Sequence, residues 1–166
     1  MLPSTQMSAS QLAQVVETLR ASSDPSIVAA LAARTDDILV NYLNGTSSPA
    51  FTVWKSSVSR MEASVNMDWT RVDNLSVGKA RIWDWMFQVD RIEPSDPTIQ
   101  AGINAVWVGT AADLAVRATV YANCKRIAKR VERILASGVG SDVSPGVLLF
   151  EGSIEKQELS IALNQP

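Results

Sequence analysis

Four carboxylates, Asp84, Asp90, Glu93 and Asp96, lie close together in the chain and could in principle hold a hard cation. Their spacing matches no calcium loop, and the expectation is solvated surface charge. The 166 residues include no histidine, so the usual general base near neutral pH is missing. Cys124 is the one cysteine, which excludes an internal disulfide and an ordinary zinc site. It is expected to be a buried, small apolar group. No phosphate loop is present; Gly138-Val139-Gly140 is too short and follows a helical pattern rather than a strand. No serine sits in a nucleophile elbow. An enzyme is therefore not expected, nor a cofactor, a metal or a small-molecule substrate.

The strongest charge pattern is basic: Lys125, Arg126, Lys129, Arg130 and Arg133, with Glu132 among them. On one helix Lys125, Lys129 and Arg133 would share a face, with Arg126 and Arg130 beside it. Cations near a helix C-terminus complement its dipole. Contact with an acidic partner or with DNA is the sharper reading. Beyond Leu135 the charges are Asp142, Glu151, Glu155 and Glu158 against Lys156, so the acidic tail of a neighbouring subunit is one candidate partner.

The elements that must position these groups are mainly helical. Ser8 with Gln11 and Ser59 with Glu62 form capping boxes. Asp24-Pro25 and Asp96-Pro97 each place a proline in a first turn, where its missing N–H is harmless. Thr35 either kinks the second helix or caps a third, and Asn44-Gly45 stops the run. Phe51 to Trp54 is extended in propensity. Residues 66–74 read as a loop with Trp69 and Val72 turned inward. Asn74 or Ser76 caps a central helix. Ile99, Ile103, Val106 and Trp107 line the next helix, which ends at Gly109. The longest helix is expected from Thr110 through Ala136. Residues 138–146 form a Gly/Ser-rich hinge. Val147, Leu148, Leu149 and Phe150 then read as a strand or an extended arm, and Ser153 caps a last short helix.

The expected fold is therefore mainly α. It is a helical bundle over residues 1–137 with one long helix, followed by a Gly-hinged arm over residues 138–166. An apolar run after a hinge can add to a neighbouring subunit or fold back on its own core. If it docks on a neighbour, deleting residues 146–166 should leave the bundle helical.

Five tryptophans punctuate the chain, three of them between Trp69 and Met86. Trp83 and Trp85 point about 200° apart on a helix. Either that helix is sandwiched between two layers, or one of the two lies at a subunit interface. Trp54, Trp83, Trp85 and Val147 to Phe150 are the candidate interface residues.

Hydrophobic content of 46% and charged content of 19% fit an ordinary globular chain. The net charge of -2 carries no global nucleic-acid signature. No stretch reaches the roughly 20 apolar residues of a membrane span. MLPSTQMSAS lacks a basic start and a long apolar run, so no signal peptide and no membrane partner are expected.

Three segments together resemble a family of small proteins of tailed bacteriophages: Val53-Trp54-Lys55-Ser56, the stretch WTRVDNLSVGKARIWDWM from Trp69 to Met86, and Ser137-Gly138-Val139-Gly140 with Pro145 and Phe150-Glu151-Gly152. The central stretch is the specific part. The resemblance implies a virion structural protein, made in the bacterial host cytoplasm and residing in the virion. It transfers no catalytic residues. By architectural analogy, a small helical chain with an arm is similar to ring-forming head–tail connector proteins of the neck. The partners expected are copies of itself, portal or tail proteins, and packaged DNA. A capsid decoration or tail protein is one alternative. A DNA-binding or host-directed regulatory protein is the other.

Overall fold

The structure, a computed structural model, describes residues 3–165. Among these the chain is mainly α, and its strands are only two or three residues long. In order they are α1 (Ala9–Arg20), α2 (Pro25–Ala33), α3 (Asp36–Asn44), β1 (Thr52–Trp54), β2 (Val58–Ser59), α4 (Arg60–Ala63), α5 (Trp69–Asp73), α6 (Val77–Met86), β3 (Arg91–Ile92), α7 (Pro97–Val106), α8 (Ala111–Asn123), β4 (Lys125–Ile127), α9 (Arg130–Leu135) and α10 (Lys156–Leu163).

The chain divides into two compact units, but not at the hinge expected after residue 137. One unit holds residues 3–53 and 127–165, the other residues 54–126. The tail belongs to the first unit because its apolar residues are core. Phe150, Ile154 and Leu159 are buried with Val15, Val16, Leu19, Leu39, Leu43, Val131 and Leu135 in one cluster. A second small cluster in this unit joins Val53, Ala128 and Leu148, with Phe51 against it. α1, α3, α9 and α10 pack around the larger core. The arm is thus folded back on its own chain, and removing residues 146–166 would strip the first unit's core rather than release an appendage.

Local chemistry explains most of the helix starts. Ser8 accepts from the Gln11 amide at 3.3 Å while Gln11 Oε1 accepts from the Ser8 amide at 2.8 Å. Asp24 and Asp96 accept from the amides of Ser26 and Thr98, with Pro25 and Pro97 following them. Arg34 ends α2 in the left-handed region (φ 55°), and Thr35 then opens α3. Ser76, rather than Asn74, caps α6.

Four expectations fail. The long helix from Thr110 to Ala136 is three elements. α8 stops at Asn123, β4 runs extended, and α9 restarts after Lys129. No proline or glycine marks this break. In the first unit the Ala128 amide donates to Phe51 O at 2.9 Å, and in the second Lys55 N–H donates to Cys124 O at 2.9 Å. These bonds to the segment at residues 51–55 replace helical ones, and Ala128 is fully buried. Residues 69–73 form helix α5 instead of a loop, because Asp68 accepts from the Thr70 amide; its Trp69 is exposed, not turned inward. α7 ends at Val106, short of Gly109. α10 begins after Glu155, so Ser153 is not its cap; the Ser153 hydroxyl accepts from Lys129 Nζ instead.

Val147 to Phe150 is no strand. It makes isolated bridges, Ser137 with Val147 and Ser4 with Phe150. Gly140 (φ 70°) lies against the Phe51 ring so closely that a Cβ would collide with it.

The second unit has its own core. Trp83, Phe87, Ile103, Val106, Trp107, Val116, Val120 and Cys124 are buried together. Trp83 stands edge-on to Trp107 at 5.6 Å and to Phe87 at 5.0 Å. β2 pairs antiparallel with β3, Val58 opposite Ile92. Arg71 of α5 clamps Asp113 of α8 at 2.6 Å. This guanidinium and the Thr110 amide hold the Asp113 carboxyl down at about 2, against an ordinary 3.8. A depressed folded value means the contribution is complete above the ordinary value and is lost as pH falls from about 4 to about 2. In an acid titration followed by circular dichroism, Asp113→Asn should flatten the stability loss in that window. An unchanged profile would contradict the clamp.

Cys124 is fully buried, and burial pushes its thiol up to about 12. A thiol reagent at pH 8 should label it only as fast as the second unit opens. Labelling at the rate of a free thiol, without denaturant, would contradict this placement.

Candidate functional site

α6 carries the side chains that the sequence singles out, and its two faces differ sharply. Trp83 is 2% exposed and lies in the core of its unit. It is therefore a packing residue and not an interface residue. Trp85 is 65% exposed. With about 100° per residue, Val77, Gly78, Ile82 and Trp85 fall in one arc of about 140°, opposite Trp83. All four are solvent-exposed, as is Val89 in the turn that follows. A β-carbon on Gly78 would meet nothing within 4 Å. Arg81 is the one charge inside that arc. Asp84, on its margin, is held by Arg60 at 2.7 Å. A surface helix normally turns polar residues outward. This helix turns out an aromatic and two aliphatics, with Val89 exposed just beyond its end, the composition of a contact surface.

The remaining interface candidates divide. Trp54 is half-buried, its ring 5.7 Å from that of Tyr121, whose hydroxyl donates to Gln100 O at 3.2 Å. Leu148 and Phe150 are core residues of the first unit, because the tail turns inward there. Leu149 is exposed and Val147 half-buried. Of the seven, Trp85 and Leu149 present large apolar surface to solvent.

The basic cluster is not a single helix face. Lys125 and Arg126 lie on β4 in the second unit; Lys129, Arg130 and Arg133 begin or occupy α9 in the first. All five are half-buried. Three are engaged within their own unit. Lys129 Nζ donates to Gly152 O at 2.9 Å and Ser153 Oγ at 2.8 Å. Arg130 donates to Tyr42 O at 2.9 Å and stacks over the Tyr42 ring. Arg133 donates to Pro49 O at 3.1 Å and Ser47 Oγ at 3.2 Å. Lys129 meets the tail of its own chain at a backbone carbonyl and a serine hydroxyl, not at one of the tail's carboxylates. The signal missed in the sequence was Glu132, which is buried, only 1% exposed. Its carboxylate accepts from the amides of Lys129 at 2.8 Å and Gly152 at 3.2 Å.

No family model, no curated protein and no solved structure matches the chain.

The early carboxylates act separately. Asp84 pairs with Arg60, and Asp96 caps α7. Among the described residues no three metal-ligating side chains converge. Among them, too, no helix is long and apolar enough to cross a membrane. The arrangement offers surface for association.

Proposed function

We propose that this chain is a bacteriophage virion structural protein, a ring-forming component of the head–tail joint that acts by subunit assembly. The observation that carries the assembly part is the outward face of α6, where Trp85 is 65% exposed beside Val77 and Ile82. Burying such a face against a neighbour removes apolar area from water at about 25 cal/mol per Å². Heterologous contacts between copies close into a ring when the rotation per subunit divides a full turn. The phage setting rests on the resemblance carried by residues 69–86 and on nothing else. Three of the five cations already bond their own unit, which disfavours the basic cluster as a DNA-reading surface.

Peptide mass mapping of purified virions tests the setting. The expected result is this chain in low copy, comparable to portal and tail components. Its absence from virions that carry those components would overturn the reading.

A further inference from the structure

Of the chain's seven asparagines, Asn44 alone precedes a glycine. That pair carries a chemistry of its own. The glycine amide nitrogen can attack the asparagine side-chain carbonyl carbon, and no Cβ on the glycine stands in the way. As the new C–N bond closes an imide ring, the side-chain nitrogen leaves as ammonia, taking up the proton of the attacking amide. Water then breaks one of the two imide C–N bonds. One break gives aspartate; the other gives isoaspartate, in which the main chain runs through the side chain.

The fold holds both reacting groups off this path. Asn44 is the last residue of α3 and is half-buried. Its side-chain amide is gripped at both ends by the tail. Oδ1 accepts from the Ile154 N–H at 2.9 Å, and Nδ2 donates to Ile154 O at 3.0 Å. The nucleophile is occupied too, since the Gly45 N–H donates to Asn41 O at 3.0 Å and to Tyr42 O at 3.2 Å. Ring closure requires the Asn44 side chain to turn onto the Gly45 nitrogen, so the two bonds to Ile154 must open first.

The product does not fit back. An aspartate at 44 still accepts from the Ile154 N–H, but it has no hydrogen for Ile154 O, and two acceptors then face each other. Isoaspartate lengthens the backbone by one carbon beside a second junction. There Gly45 O accepts from the Arg130 N–H at 2.9 Å, and Thr46 bridges Lys129. Either product weakens the place where the tail and the start of α9 are tied to α3.

We propose that Asn44-Gly45 is a deamidation site, locked while the tail is docked and reactive once it lifts, and that deamidation makes the release permanent. The site shares no residue with the face of α6, so it stands apart from the assembly reading.

The full chain, held at mildly alkaline pH in rising guanidinium chloride, tests it. Peptide mass mapping follows conversion at Asn44, with Asn41 as the control, and amide hydrogen exchange follows the Ile154 N–H. Asn44 is expected to convert at least about tenfold more slowly in the native chain than in the unfolded chain, in step with exchange at Ile154 as the tail opens. Asn41 should lag behind Asn44 in the unfolded chain. Asn44→Asp, one of the two products, should be cut by protease beyond Phe150 at least about tenfold sooner than the parent. Native conversion as fast as unfolded conversion would overturn the lock, as would conversion that rises without regard to exchange at Ile154. Parental protease resistance in both Asn44→Asp and the isolated deamidated chain would overturn the permanent release.

Discussion

Trp83→Ala lowers the stability of the second unit by about 3–5 kcal/mol, the cost of emptying a buried indole site. Trp85→Ala, two residues away, is expected to change monomer stability by no more than about 0.5 kcal/mol and to abolish the self-association proposed for the outward face of α6. The contrast follows from helix geometry alone. Trp83 makes edge contacts with Trp107 and Phe87, while Trp85 faces solvent on the other side of α6. Urea denaturation measures the first effect and the mass of the native particle the second. If Trp85→Ala destabilised as severely as Trp83→Ala, the outward face would be core, and the assembly surface would have to be sought elsewhere.

Glu132→Ala should cost about 2–4 kcal/mol in the first unit, because it leaves donors at Lys129 and Gly152 buried without their acceptor. The loss should be felt first in the tail. Residues 152–154 are held to the body by Glu132, by Lys129 through Gly152 O, and by Asn44, whose side chain accepts from Ile154 N–H at 2.9 Å and donates to Ile154 O at 3.0 Å. Limited proteolysis should cut Glu132→Ala beyond Phe150 well before the parent chain. Glu132→Gln keeps an oxygen acceptor and should be the milder variant. A Glu132→Ala protein with unchanged stability and protease resistance would show that the tail is held by its apolar residues alone.

Residues that act locally were legible in the sequence. Capping boxes at Ser8 and Ser59 and the Asp-Pro starts at residues 24 and 96 bond within three residues, so their partners are visible in the chain. The opposition of Trp83 and Trp85 was legible too, since it needs only the helical period. Apart from α5, whose Asp68 cap is local and was missed, what failed depends mostly on distant partners. The break between α8 and α9 has no proline or glycine; it exists because the segment at residues 51–55 bonds there. The basic cluster looked like an open face because the carbonyls that absorb Arg130 and Arg133 lie more than 80 residues away in the chain. Glu132 gave no warning, since a lysine rather than a serine precedes its helix.

The most direct measurement is the native mass of the purified chain, compared with that of Trp85→Ala at the same concentration. The account predicts a closed oligomer of many copies for the unmodified chain and a folded monomer for the variant. A monomer in both cases would contradict assembly through the outward face of α6.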